Sequence, residues 1–444
     1  MNRIRINTLL LLLCIFLPGV AQDVSDGWNK NKTARLTKPV FVYNNWSAYD
    51  ELSDNIPLNE TLAMKELDHI ARLKKMGVQV DYYLMDAFWF DVNEGYRKWR
   101  SDCWPEGPKR WLDACKREGI KPGLWFSTNL LRIGGEANTM KVIPEWESSV
   151  AEDGVTLCLF RGGYLHHLMQ TLQMYADMGI KMFKFDFAYF DAATPDAKCT
   201  MLPADIEEQN KNAFISAIKE FRYKNPDVLF IGYNGFGGDM ENTVTPFRKT
   251  VDLRWLEIFD TMYCGDPRLS DVPMMNFWRS QDLYSDHMTF QYLFNGVPVQ
   301  RIDNCAFMIG TTGTCYNRAL NAWKGMMILT MARGGWLNVC HGNIDLLSDD
   351  DACWMAKVQQ LYMKVQQYGN ISAFGSIPGK ALPYGYMASA EGGNLYTVVN
   401  ASQEKVKVTL PEATGTGRVL FTDSGFIPVL EKNIVAVSYT HLTL

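Results

Sequence analysis

The order of helix, glycine and strand along this chain predicts an α/β fold: a (β/α)8 barrel followed by a small C-terminal antiparallel β-sandwich. Three observations carry that reading. One grammar repeats three times, in KKMGVQVDYYLMD, RWLDACKREGIKPGLWF and ADMGIKMFKFD, where a helix stops at Gly77, Gly119 or Gly179 and an apolar strand follows at once. Glycine supplies the left-handed cap, and helix-to-strand alternation means parallel strands joined by right-handed crossovers. The alternation then runs on for most of the chain, which favours a closed barrel over a doubly wound sheet. After Gly369 it gives way to short strands with one wet face.

The elements follow in order. Residues 1–21 combine Arg3 and Arg5, an apolar run from Leu9 to Leu17 and a small-residue end at Gly19-Val20-Ala21. This pattern is that of a secretory signal, too short to span a bilayer stably. Cys14 in that run lacks the preceding small residues of a lipid anchor, and no other stretch is long and apolar enough to cross a membrane. The barrel is expected over 22–370 and the β-domain over 371–444. Residues 39–45 (PVFVYNN) read as the first strand. The first helix shows Ala63, Leu67, Ile70 and Ala71 on one face, and the third shows Leu165, Leu168, Met169, Leu172, Tyr175 and Ala176. Strands two to four end in YLMDAFWFD, GLWFSTN and KMFKFD. Residues 228–234 are the fifth strand, after a helix at about 205–224. The sixth to eighth are expected at 274–280, 297–302 and 334–339, the last after a helix at about 317–332. A final helix over about 349–368 starts after Ser348 with three aspartates suited to its N-terminal dipole. Beyond it, Leu395–Val399, the alternation of Val406, Val408 and Leu410 with lysine and threonine, RVLFTD and IVAVSY read as sandwich strands. The closing SYTHLTL has no pattern of its own and reads as a truncation or foreign sequence.

Composition sets limits. With 47% hydrophobic residues among 444 there is ample core for one large domain and a smaller one. The formal net charge is −5, and without Arg3 and Arg5 it is −5 − 2 = −7. No basic patch of the kind nucleic acid requires is present. Ten cysteines less Cys14 leave nine, an odd number; at this length the chain is no disulfide scaffold, though Cys305 and Cys315 could close a local loop. No spacing resembles a zinc site. GYNGFGG fails the dinucleotide pattern, and the GxSxG elbow of a serine hydrolase is missing. His166 and His167 fit surface or packing roles better than ligation.

The chemistry is sought at strand ends, where barrel enzymes assemble their sites. In the fourth strand, Lys184 and Asp186 share one face, with Phe183 and Phe185 on the other. A buried ion pair is costly unless used, and a purely structural pair is the plainer alternative. The remaining ends offer Asn44, Asn45 and Trp46, then Asp86 and Trp89, Trp125, Asn234, and Trp278, Arg279 and Asp282. Two carboxylates among a lysine, an arginine and several indoles suit glycosidic cleavage, which needs one ionised and one protonated carboxyl across the bond. The cation beside Asp186 favours it as nucleophile, and Asp282 is the candidate acid/base, with Asp266 and Asp271 as fallbacks.

FKFD at 183–186 resembles the nucleophile motif of the α-galactosidase clan, glycoside hydrolase families 27 and 36, in which a lysine stands two before the catalytic aspartate. NNWS at 44–47, MDAFW at 85–89, GYNGFGG at 232–238 and WRSQD at 278–282 are similar, in order, to the clan's other segments, over roughly 38–370. The resemblance implies a retaining double displacement without metal or organic cofactor. In it Asp186 attacks the anomeric carbon and Asp282 serves as acid/base. Asp86 and Lys184 bind ring hydroxyls, and Trp46 walls the pocket. The partner implied is an oligosaccharide or glycoside; no oligomeric state follows. Three departures stand out. Ala87 replaces a second aspartate that usually reads the 4- and 6-hydroxyls. The fifth-strand turn lacks the usual cysteine and arginine. WRSQD needs a one-residue gap. A glycan-binding protein on a degenerate glycosidase barrel is the alternative.

Overall fold

The structure, a computed structural model, describes residues 35–46, 48, 58–133, 136–236, 251–264, 280–303, 307–310, 323–378, 380, 382–402, 404–414, 416–422, 428–437 and 441–443. The expected signal segment, the Cys305–Cys315 loop, Trp278, Arg279, Asp266 and Asp271 lie outside them, as do the side chains of 280–284.

Nine parallel strands form one sheet: β1 (Val40–Asn44), β2 (Tyr82–Met85), β3 (Lys121–Ser127), β4 (Met182–Asp186), β5 (Leu229–Gly232), β6 (Thr261–Tyr263), β7 (Ile302–Asp303), β8 (Phe307–Ile309) and β9 (Leu337–Gly342). Their order is β7-β6-β5-β4-β3-β2-β1-β9-β8. Flat, such a sheet would hold its edge strands about 38 Å apart at ~4.8 Å per strand. Those edges are β7 and β8, and only residues 304–306 separate them in sequence, a reach of at most about 14 Å. The sheet is therefore rolled, and β7 lies against β9 as well as β6. β7 pairs with β6, and β8, which follows it closely in sequence, pairs with β9. This is the barrel the alternation predicts.

Crossover helices cover the outside: α1 (Glu60–Lys75), α2 (Lys109–Arg117), α3 (Tyr164–Asp177), α4 (Pro195–Thr200), α5 (Pro203–Lys224), α6 (Ser280–Phe294), α7 (Trp323–Ala332) and α8 (Asp349–Tyr368). The three expected glycine stops hold positive φ, with Gly77 at 93° and Gly179 at 108°. Ser348 and Asp351 close a reciprocal capping box at the start of α8. His166 is exposed, while His167 is buried with Nε2 at 3.0 Å from Gly95 O. Among the described residues no helix is long and apolar enough to cross a membrane.

Two expectations need correction. The sixth strand is Thr261–Tyr263; of the expected 274–280, residues 274–279 lie outside the described residues and Ser280 is helical. A three-residue strand buried on both faces has no period to detect. The seventh begins only at Ile302, because Val299–Arg301 forms a 3-10 turn after Pro298.

Strand parity sorts the core into two layers. Val40, Val42, Tyr82, Leu84, Met182, Leu229, Ile231, Tyr263 and Val339 fill the barrel interior. Their neighbours Phe41, Tyr83, Phe126, Phe183, Phe185 and Phe230 pack outward beneath the helices. A Cβ on Gly123 would stand only 3.0 Å from Leu84 Cδ1, so the interior is filled to the point where this position stays bare.

The C-terminal part is a sandwich of antiparallel strands. One sheet orders β10 (Asn370–Gly375), β11 (Tyr384–Ala390), β12 (Gly393–Val399), β17 (His441–Thr443) and β14 (Phe421–Thr422). The other orders β13 (Val406–Thr409), β16 (Ile434–Val437) and β15 (Val429–Glu431). Met387, Tyr396 and Val398 meet Val408, Leu410 and Val435 between them. The outer face of the larger sheet lies on α8, where Tyr362 and Thr397 hydroxyls bond at 2.7 Å.

Candidate active site

The inward parity that fills the barrel with Met182 puts Lys184 and Asp186 on the same face, toward the C-terminal mouth. Both are buried. Asp186 is held by three N–H donors. Trp125 Nε1 donates to Oδ2 at 3.2 Å; Phe187 N and Asn234 N donate to Oδ1 at 2.9 and 3.1 Å. Two backbone features make this geometry. Phe187 takes a left-handed φ of 49°, a costly state for a phenylalanine. Gly235 has φ 98°, and a Cβ there would meet Ala188 O at 2.2 Å, so only glycine lets the fifth-strand turn approach β4 and deliver the Asn234 amide.

Lys184 Nζ bonds Asp86 Oδ2 at 2.8 Å, each side chain only 4% exposed. Nζ also stands 4.0 Å over the Tyr233 ring, which stacks on Tyr263 at 4.1 Å. The Tyr233 hydroxyl donates to Asp303 Oδ2 at 2.7 Å. Burial works against the charge on Lys184, but Asp86, Asp186 and Asp303 outweigh it and raise its pKa above the ordinary value. Three strands thus each bring one carboxylate to a single ammonium. Asp86 is oriented by its neighbours: its N–H donates to Asn45 Oδ1 and its Oδ1 accepts from Ala87 N, both at 2.9 Å. At the rim, Trp46 is half-buried, its N–H on Asn44 Oδ1 at 2.9 Å and its ring edge-on to His341 at 5.7 Å. Asn44 Nδ2 and Asn234 Oδ1 are buried with no hydrogen-bond partner among the described residues.

The expected residues separate into groups. Asp186, Lys184, Asp86, Trp125 and Asn234 form one connected cluster, with Trp46 at its edge. Trp89 does not join them. It is fully buried behind the mouth among Phe90, Tyr96, Trp99, Phe126 and Tyr175, its Nε1 on Trp125 O at 3.0 Å. The left-handed φ of 72° at Phe88 breaks the strand alternation just before it. Trp89 is therefore a packing residue that backs Trp125 and not a pocket wall. Asp282 lies in α6, not at a strand end, and its side chain is outside the described ones. Asp303, Tyr233 and His341 were missed. Asp303 directly follows the expected seventh strand 297–302, so extending that strand by one residue would have found it.

Behind Asn45 sits Glu66 of α1, fully buried, which accepts from Tyr83 OH and, at 3.4 Å, from Asn45 Nδ2. Burial pushes its carboxyl up to about 8, against hydrogen bonds from Asn45 and Tyr43. The folded value exceeds the ordinary 4.5, so the neutral form is the one the fold favours. Its contribution is complete below about pH 4.5 and is lost as pH rises to about 8, at up to about 1.4 kcal/mol per unit. Glu66→Gln is expected to flatten stability between pH 5 and 8 in urea unfolding; an unchanged slope would place the pH dependence elsewhere.

No family model matches the chain. It is 26% identical over 226 residues to the α-galactosidase Mel36A of Lactobacillus acidophilus, covering 47% of this chain and 29% of that protein. The galactosidase domain of the α-galactosidase-sucrose kinase AgaSK superposes with a TM-score of 0.63 at 16% identity, over 96% of this chain and 58% of that one. A family 36 α-galactosidase of Geobacillus stearothermophilus, in complex with stachyose, gives 0.63 at 14% identity, over 96% and 59%. A putative α-galactosidase of Bacteroides fragilis gives 0.57 at 11%, over 93% and 80%. The chain thus spans little more than half of the first two of these structures. Over that aligned stretch in sequence, and over nearly its whole length in fold, the chain resembles the α-galactosidase clan.

Proposed function

We propose that this protein is an exported, retaining α-glycosidase that hydrolyses α-galactosides by double displacement. The observation that carries the reading is Asp186: a buried carboxylate at the C-terminal end of β4, clamped by Trp125 Nε1 and two backbone amides, beside the Lys184–Asp86 pair. A carboxylate so oriented is ready for attack without reorganisation. Asp186 forms the glycosyl ester, while Asp282 protonates the leaving oxygen and then activates water. Asp86 and Lys184 accept from and donate to ring hydroxyls, and the unpartnered Asn44 Nδ2 and Asn234 Oδ1 offer one more donor and acceptor. The proposed substrate class is supported by the α-galactosidase relative and by the neighbour solved in complex with stachyose. Residues 1–21 support export.

One observation favours the non-catalytic alternative. Asp282 sits in a helix, and its motif matches the clan only with a gap. A panel of aryl α- and β-glycosides decides between the two. Hydrolysis confined to α-galactosides, with retained anomeric configuration in the first-formed product by NMR, is expected. Binding of sugars with every glycoside intact would establish the lectin-like reading, and inversion would remove Asp186 from the nucleophile role. Asp282→Ala should slow substrates with poor leaving groups by about 10²–10⁴-fold and spare those with very good ones.

A further inference from the structure

We infer that Tyr233 is a positioning residue for sugar recognition: its ring carries Lys184 while its hydroxyl holds Asp303, so that the ammonium keeps a donor for a sugar hydroxyl. The inference deepens the reading above and rests on its claim that a saccharide sits at Lys184. Besides Asp86, two carboxylates are coupled to this ammonium, Asp186 and Asp303. Closing on either of them as well would use up the N–H groups that a ligand needs. Each of the two is occupied by donors of its own. Asp186 takes the Trp125 indole and two backbone amides. Asp303, buried at the end of β7, takes the Tyr233 hydroxyl on Oδ2 at 2.7 Å. Among the described residues Asp86 is then the one carboxylate within ion-pair distance of Lys184, at 2.8 Å.

The sheet places Tyr233 for both tasks. It directly follows β5, and its N–H donates to Phe185 O of β4 at 2.8 Å. Its ring stacks on Tyr263 of β6, with centroids 4.1 Å and planes 8° apart, which resists rotation. Tyr263 is paired in register with Asp303, so the stack brings the Tyr233 hydroxyl to the carboxylate of the next strand. Cys264 N donates to Asp303 O at 3.0 Å and continues that ladder. Lys184 Nζ rests 4.0 Å from the centroid of the Tyr233 ring, a cation–π contact that takes no proton from it. An ammonium has three N–H groups. One goes to Asp86 Oδ2, and one side of the group faces the ring. A further N–H has no acceptor among the described residues, on the inward face near the C-terminal mouth.

Affinities for galactose and its 2-, 3-, 4- and 6-deoxy analogues, by NMR titration, separate positioning from mere support. In the unaltered protein, loss of the hydroxyl that Lys184 serves should weaken binding about 10–100-fold, the scale of a hydrogen bond to a charged group. Tyr233→Phe keeps the ring under the cation but takes the donor from Asp303, and Lys184 can replace it. That one penalty should then fall below about threefold, while penalties at hydroxyls served by other side chains hold within about the same factor. Asp303→Asn still accepts from the Tyr233 hydroxyl but offers no charge to an ammonium, so the pattern should persist. Adding Asp303→Asn to Tyr233→Phe should restore the lost penalty. Uniform weakening of every sugar in Tyr233→Phe, an unaltered pattern there, or no recovery in the double variant would overturn the inference. If Tyr233→Phe does not fold, Asp303→Asn alone still decides: loss of the penalty in it overturns the role. Sugar binding without turnover would remove the catalytic part of the reading and leave this one standing. No binding of galactose or any analogue by the unaltered protein would mean that the saccharide reading itself fails, and the positioning role falls with it.

Discussion

Asp186→Asn is expected to abolish turnover, by about four to six orders of magnitude, as removal of a nucleophile does elsewhere. The amide cannot form the glycosyl ester, whatever the substrate. The structure also sets the accompanying cost in stability. Asn keeps one oxygen for the Phe187 and Asn234 amides, but its NH₂ then faces Trp125 Nε1, donor against donor. Leaving that buried indole unsatisfied costs about 1–3 kcal/mol. Single-turnover kinetics and thermal unfolding read the two effects separately. Residual activity above a hundredth of the original would show that Asp186 is not the nucleophile.

Lys184→Met removes an ammonium to which Asp86, Asp186 and Asp303 are all coupled. Breaking a buried pair by deleting one partner costs about 3–5 kcal/mol, because the other charge is stranded. The partner here is Asp86, 2.8 Å away and as deeply buried. Adding Asp86→Leu should therefore recover part of the loss, and a double-mutant cycle would measure the coupling. Additive losses would mean the pair contributes no more than its two side chains separately. The pH dependence follows from the raised pKa. The folded value lies above the ordinary 10.5, so the stabilisation is complete below about pH 10.5 and is lost only as pH rises through the folded value. Near neutrality the ammonium stays charged and available to a hydroxyl.

Much of this was written in local pattern. Gly77, Gly119 and Gly179 mark real helix ends because a left-handed residue leaves a compositional trace at a fixed place. Lys184 and Asp186 face inward because parity in a buried strand allows nothing else. The Ser348 cap and the following α8 were readable for the same reason. What escaped the sequence was set by distance along the chain. Thr261–Tyr263 is too short for a period, so the sixth strand was sought downstream and Asp282 was given a strand end that it does not occupy. Trp89 was a candidate because it closes a strand-end motif, MDAFW; the turn at Phe88 that sends it into the core is a backbone conformation and leaves no residue-type signature. Asp303 joins the Lys184 cluster only through β6 and β7 pairing, and Asp286 meets Tyr384 and Tyr386 across nearly a hundred residues. Contacts of that range have no local spelling.

Among the described residues the shortest ladders of the barrel are the two that hold β6. Among the described residues β6 meets β5 at Thr261 and Met262 and meets β7 at Met262 and Tyr263, whereas β3 and β4 are paired over five residues. Cooperative opening begins where such ladders are shortest. Asp303 rides on that seam and grips Tyr233, whose ring lies under Lys184. A ligand held at Lys184 is therefore expected to steady the wall around β6 as well.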